Sequence, residues 1–490
     1  MANDAFGFVS EILKVAAIAI ALSLCLFADA AAASNSKIVS AVVVEITAVC
    51  CDPGTQWWVF ISFLIYIALF LFLRFQTRSG FWHARSASPY LSCLILIGSL
   101  TYLLNYSPSA ESLVFIVAIV LSQGIAFWSN KRDWSHSRRV TLFVITLFVI
   151  LLTVASIWNV DTGYYYEYHN HNRWSGPWSN PNLCGLLMGT GVILAIGQFL
   201  ENIVCVYKSG RRQVRSLMGR SVRADRLKLR FVRCGIAIVF LFASILMARG
   251  LLNSYSRGAW FGTGCGLAYL FFASNLFLKV GIHYKYVFLV RAKSLAFSLL
   301  LFAIFTLSFF QLRQVDSWRP LQRMFSAVDT LDFSWRNRIA ALNGAAEITA
   351  EHSWAGVGWS RPELLYEHYY VSPKLVDGEA IEMNDYLMLV TTLGVPALFC
   401  FGMYLWLALS QRVEVGREKL RGRKQRTKVT SQNPELVERE LLKITCRGGA
   451  IVLLVGFWFD GGLFKLATAS TFWILLELGN VQNKPRKETN

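Results

Sequence analysis

Charge is scarce in this chain. Only 16% of its 490 residues are Asp, Glu, Lys or Arg, where soluble globular proteins carry about a quarter. That shortage argues against an ordinary soluble enzyme. Nucleotide-handling signatures are missing too. There is no Ser-His-Asp signature, phosphate-binding glycine loop or dinucleotide fingerprint, so a nucleotide-sugar donor taken from the cytoplasm is not expected. The histidines and cysteines show no zinc or haem spacing, and no metal or cofactor is expected. What the chain has instead is apolar: 55% hydrophobic and 14% aromatic residues. That composition excludes disorder, a collagen-like fibre and a small disulfide scaffold. Most of the ten cysteines sit in or beside apolar blocks, where Cys packs as a small hydrophobe. Cys50 and Cys51 are adjacent and placed to meet an oxidant outside.

The apolar residues gather in blocks long enough to cross a bilayer as helices. They run 12–33, 57–75, 90–106, 111–128, 139–158, 183–207, 231–252, 258–280, 294–312, 386–409, 448–459 and 466–479, the last pair short. The expected fold is an all-α membrane protein of about twelve transmembrane helices. Segment 38–51 is apolar but short and carries Glu45, so it reads as lying on the bilayer outside.

In a soluble protein a net charge of +18 would point to nucleic acid. In a membrane protein it marks cytoplasmic loops, where Lys and Arg accumulate. Loop 208–233 holds ten Lys/Arg and one acid, Asp225, which places it inside. Alternating from there puts 35 Lys/Arg on the inside and 11 on the outside. Both termini then face the cytoplasm, and the expected location is a bacterial cytoplasmic membrane, with lipid and not nucleic acid as partner. ADAAAAS, at the end of the first block, looks like a signal-peptidase site. Asp4 and Glu11 precede it with only Lys14 as base, so cleavage is not expected. Three regions follow: 1–158 with five spans, 159–409 with the extracytoplasmic loop 313–385, and 410–490 with a basic loop, the last two helices and a tail.

The unusual polar residues all fall outside. Arg257, in NSYSRGAWFG, sits between two spans with no room to stray. It reads either as an arginine snorkelling to the interface or as an anion site, since a guanidinium fork matches phosphate oxygens. Ser256 precedes it, and Arg249 lies two turns earlier. Arg173 stands before SGPWSNPN, a turn-rich stretch whose Asn180 and Asn182 either donate to a sugar or phosphate or, for Asn182, cap the next span. Arg336 and Arg338 open an expected helix, NRIAALNGAAEITAEH, with Ile339, Leu342, Ala346 and Thr349 on one face. They read equally as a solvated face.

Four stretches resemble the O-antigen ligase and O-antigen polymerase family: SGPWSNPNLCGLLM at 175–188, SRGAWFG at 256–262, SWRNRIAALNGAAEITAEHSWAGVGWS at 334–360 and MNDYLMLVTTLGVPAL at 383–398. They fall in order between residues 159 and 400. The resemblance implies a lipid-linked-sugar glycosyltransferase fold and a glycan donor on a polyprenyl diphosphate. The implied acceptor is a hydroxyl on a lipid, another glycan or a protein. Arg173, Asn180, Asn182, Ser256, Arg336 and Asn384 would bind substrate, and Arg257 and Arg338 would stabilise the leaving diphosphate. Two positions depart. Leu342 stands where the family's loop helix has Trp, and Met383, which takes no proton, where its ligases have His before Asn. The base is then sought among His352, His368, Glu379, Glu382 and Asp385, with His368 first because imidazole titrates near neutral pH and Asp385 second. A transporter or flippase is a different reading, but most spans lack charges and no halves repeat. A non-catalytic envelope scaffold is a third.

The charge pattern makes a direct prediction. A cysteine introduced at Lys374 should react with an impermeant thiol reagent in intact spheroplasts; reaction only after lysis would reverse the topology.

Overall fold

A computed structural model of the chain describes residues 14–27, 110–130, 134–158, 167–168, 171–178, 180–214, 220–281, 333–359, 384–410, 434–459 and 461–480, together with Leu91, Leu94 and Gly98. The expected spans 57–75 and 294–312, most of 90–106, segment 38–51, the ADAAAAS stretch, loop residues 360–383 and the tail lie outside the described residues. Within them the fold is helical apart from one two-residue ribbon. The helices are α1 (Lys14–Phe27), α2 (Ala110–Asn130), α3 (Trp134–Ala155), α4 (Pro181–Val214), α5 (Arg220–Asn253), α6 (Arg257–Gly281), α7 (Phe333–Glu351), α8 (Asp385–Leu393), α9 (Val395–Ser410), α10 (Pro434–Gly456) and α11 (Leu466–Gly479). Between α3 and α4, β1 (Glu167–Tyr168) pairs antiparallel with β2 (His171–Asn172).

Among the described residues, three stretches are long and apolar enough to cross a membrane: His136–Ala155, Pro181–Val206 and Arg230–Asn253. They differ in place. In α4, 83% of the spanning residues are buried, against 28% in α5, so α4 is the axis of the bundle and α5 lies at its edge. Arg249 on α5 is exposed. Lipid tails are as apolar as Leu, so helices in a bilayer associate through close packing rather than water exclusion. The α4–α6–α10 core follows that rule. A Cβ on Gly185 of α4 would meet Ser254 Oγ at 2.6 Å and Ala259 Cβ at 2.9 Å. One on Gly262 of α6 would stand 2.6 Å from the carbonyl oxygen of Val452 in α10. Glycine there lets backbone touch backbone.

Several boundaries differ from the sequence reading. Helix α10 runs from Pro434 to Gly456, so most of the short block 448–459 is the C-terminal part of a 23-residue helix whose first half is charged. The expected span 386–409 is two helices broken at Gly394, whose φ is 82°. The N–H groups of Val357 and Gly358 meet the carbonyls of Thr391 and Thr392 (2.8 and 3.0 Å), and that of Val395 meets Ser353 (2.9 Å). The broken turn is thereby satisfied by the GVG loop after α7. A Cβ on Gly356 would lie 2.5 Å from Thr392. Helix α7 itself exists, but its inward face is Ala340, Ala341, Gly344, Ala345 and Ile348. The expected face is turned out: Ile339 and Leu342 are 46% and 48% exposed and Ala346 is exposed, with Thr349 half-buried. Small residues win the inward face because α7 packs on α8 close to its backbone.

At the far end of the bundle Arg138 of α3 pairs with Glu438 of α10 (2.7 Å) and Glu201 of α4 (3.3 Å), and Cys205 Sγ donates to Glu438 (2.9 Å). Helix α1 is built into the core, with Leu22 and Leu26 fully buried and the Leu26 carbonyl accepting from Trp178 Nε1 (2.5 Å).

The glycine contacts predict a contrast. Gly262→Ala should destabilise the protein by roughly 1–3 kcal/mol, because a backbone carbonyl cannot step aside. Gly264→Ala, with nothing within 4 Å of the new methyl, should be neutral or stabilising by up to about 1 kcal/mol. Unfolding in detergent checks both; equal effects would contradict the packing.

Candidate functional site

The α5–α6 turn is very short. Asn253 closes α5, Ser254 and Tyr255 turn, and Ser256 caps α6 by accepting from the Ala259 N–H (3.2 Å). Tyr255 has φ 50°, in the left-handed region that bulky residues seldom occupy. The turn is held by Ser254, whose Oγ donates to Leu251 O (2.7 Å) and accepts from Ser256 N (3.3 Å), and by Trp260 Nε1 donating to Leu251 O (3.0 Å). Arg257 is therefore the first residue of α6, partly exposed, with the helix's positive end behind it.

Loop 171–180 is bonded directly to that turn. The Trp174 N–H donates to Asn253 O (2.9 Å). Arg173 donates from Nε to Ser254 O (3.0 Å) and from Nη2 to Asn182 Oδ1 (2.5 Å). One guanidinium thus ties the start of α4 to the turn carrying Arg257. Asn180 rather than Asn182 caps α4, accepting from the N–H groups of Asn182 (2.8 Å) and Leu183 (3.3 Å), with Pro181 at the first helical position. Gly176, at φ 59°, turns the chain into the buried Pro177–Trp178 segment. The indole Nε1 of Trp174 is buried with no hydrogen-bond partner among the described residues. It is a donor left over in an otherwise satisfied turn.

A third helix start belongs to the same end of the bundle. Asn384 caps α8 by accepting from the Leu387 N–H (2.9 Å). Asp385, 3% exposed, accepts through Oδ2 from the N–H groups of Gly462 (2.6 Å) and Leu463 (2.8 Å). Its own N–H donates to Phe457 O (3.4 Å), and the Tyr386 hydroxyl donates to Leu454 O. So α8 begins against the outer end of α10, the helix that α6 grips at Gly262.

Arg173, Asn180, Asn182, Ser256 and Arg257 are thus brought together on two helix starts bonded to each other. Asn384 and Asp385 lie at a third, connected through α10. Arg336 and Arg338 are in the first two turns of α7. His352 is exposed just beyond that helix. His368, Glu379, Glu382 and Met383 lie outside the described residues. Sequence reasoning passed over Ser254 and the Gly461–Gly462 pair. The latter had a signal, since Gly-Gly is a turn dipeptide; nothing local marks Ser254 Oγ and carbonyl as the hub of a turn. No group of three His, Cys, Asp or Glu that could hold a metal occurs among the described residues.

Chemically, the arrangement gathers groups of positive character. Three helix starts offer positive dipole ends, two arginines are always charged, and the surrounding side-chain oxygens are already used as caps and bridges. The chain is a helical protein with apolar helices suited to a membrane and a cationic site at one end of its core. One segment of the chain, residues 242–402, matches the family model described as O-antigen ligase, the family that the sequence motifs resemble. It holds Arg257, Arg336, Arg338, Asn384 and Asp385, while Arg173, Asn180 and Asn182 precede it and α10 and α11 follow it. No curated protein matches the chain.

The Arg173 bridge has a readable consequence. Arg173→Lys replaces a fork by a point donor and should lose one of the two bonds, and Arg173→Ala both. Limited proteolysis of loop 159–180 should quicken in that order. Unchanged cleavage in both variants would contradict the bridge.

Proposed function

We propose that this protein is a membrane glycosyltransferase that moves a glycan from a polyprenyl diphosphate to an acceptor hydroxyl on the outer face of a bacterial cytoplasmic membrane. The observation that carries the reading is the bond of Arg173 to Ser254 and Asn182, which fixes a second guanidinium within one turn's reach of Arg257. In this reading the chain has about twelve spans, both termini inside, and the 313–385 loop outside with the site. The donor diphosphate lies over the starts of α4 and α6, and Trp174 Nε1 supplies a donor to it or to the first sugar.

The acceptor oxygen attacks the anomeric carbon of the glycan's first sugar. The bond from that carbon to the diphosphate oxygen breaks, and polyprenyl diphosphate leaves with the electron pair. Negative charge grows on the leaving oxygen in a site that membrane and protein keep poor in water. Donors fixed in advance stabilise it there without reorganising. Arg257 and Arg173 face the diphosphate, with Arg338 and Arg336 of α7 as further donors to it. The acceptor's proton goes to a base on the 313–385 loop, with His368 the first choice. Met383, in the position where ligases of this family carry histidine, favours a second reading, a polymerase whose acceptor is another glycan chain. Deleting the gene separates the two. A ligase leaves lipid-linked polymer accumulating, and a polymerase leaves single-unit caps.

Arg257 is the direct test. Arg257→Ala should lower transfer by roughly a hundredfold or more, and Arg257→Lys, which keeps charge but not the fork, by about tenfold. The measurement is transfer from lipid-linked donor by purified protein. Wild-type rates in a normally expressed Arg257→Ala variant would remove the diphosphate role.

A further inference from the structure

The carboxylate of Asp385 is buried, yet it is the residue at the very mouth of the re-entering helix. The chemistry of its surroundings is that of an anchor. One oxygen accepts two backbone N–H bonds, at 2.6 and 2.8 Å, from consecutive residues of the α10–α11 turn. Hydrogen bonds to an ionised acceptor are about twice as strong as neutral ones. The other oxygen lies 3.7 Å from where a side chain on Gly461 would begin, so the turn is folded closely around the carboxylate. The backbone N–H of the same residue and the hydroxyl of the next, Tyr386, close on the carbonyls of Phe457 and Leu454. Four bonds from two adjacent residues thus fasten the start of α8, two to the C-terminal end of α10 and two to the turn that follows it. Helix α10 is in turn held to α6 by backbone contact at Gly262 and Val452, five residues after Arg257.

We propose that Asp385 is a positioning residue that locks the start of α8, with its cap Asn384, to the same rigid frame as Arg257, and that it does not act as the base. The turn it grips, Gly461–Leu463, lies outside the matched family segment, so α10 and α11 are part of the working site. Asp385 acts as an acceptor for two N–H groups. That task needs an oxygen, not a proton site, and an asparagine supplies the oxygen.

The catalytic side of this proposal rests on the transferase reading above, and the experiment has an arm that does not. Asp385→Asn should keep transfer within about tenfold of wild type with an unchanged pH profile, as weaker neutral bonds replace charge-assisted ones. Asp385→Ala should lower kcat by roughly a hundredfold or more, as the start of α8 loses its position. Independently of activity, hydrogen–deuterium exchange in segment 460–465 should be slow in the wild type, rise at least about tenfold in Asp385→Ala and stay near wild type in Asp385→Asn. An Asn variant that is inactive, or that loses the acidic limb, while exchange stays slow makes Asp385 a base and overturns the proposal. Unchanged exchange in Asp385→Ala overturns the anchor. If the Ala variant does not fold, the Asn variant alone decides between anchor and base. If the wild type transfers no glycan, the transferase reading fails while the exchange arm still decides the anchor.

Discussion

Inside a bilayer a backbone N–H or carbonyl has no water to turn to, and this constraint shapes every irregular feature of the structure. Where a helix stops or breaks, another segment must supply the missing partner. The break at Gly394 leaves carbonyls of α8 without helical donors, and the N–H groups of Val357 and Gly358 take them. The outer end of α10 would leave Leu454 and Phe457 carbonyls open, and Tyr386 and the Asp385 N–H take those. The turn after α10 would leave two N–H groups unmet, and the Asp385 carboxylate meets both. The Ser254 carbonyl, in the short α5–α6 turn, is met by Arg173. The polar residues at this end are first of all the means by which a membrane-type core can contain turns.

That economy places a cationic site as a by-product. Each capped helix start keeps its positive end pointing out of the core, and arginine, chosen to bridge carbonyl and amide oxygens, keeps its charge. Asn180, Ser256 and Asn384 cap three helices that start at the same end.

Much of this was legible in the sequence, for identifiable reasons. Long apolar blocks report helices well because the bilayer imposes their length, and 466–479 matches α11 residue for residue. The SNPN and SRG stretches announce helix starts through capping chemistry, although Asn180 rather than Asn182 turned out to be the cap. What stayed hidden depends on tertiary partners. Periodicity put Ile339 and Leu342 on one face of α7 but not which way that face turns; it turns out, and Ala341, Gly344 and Ala345 face in. Asp385 read as a candidate proton acceptor because a carboxylate at a membrane mouth invites that interpretation. Its partners are backbone groups 77 and 78 residues away, and no local pattern reveals them. GVG carries no local sign of a partner. Its purpose, to feed N–H groups into a broken turn, is visible only with α8 in place.

The glycine seams have a mechanical meaning. Where side chains separate two helices, rotamer changes give each helix some travel along its neighbour. Between α6 and α10 the spacer at Gly262 is absent, and a carbonyl oxygen sits where even one methyl would not fit. Between α4 and the α5–α6 turn, Gly185 does the same with Ser254 and Ala259. Such seams work like keyed joints: sliding by a fraction of a residue drives atoms into each other. Carriers that expose a site alternately to two compartments need one bundle to rock against another, and a keyed core resists that stroke. A core that holds its shape while substrates come and go at one rim suits a fixed template for chemistry, with whatever motion the cycle needs left to the loops.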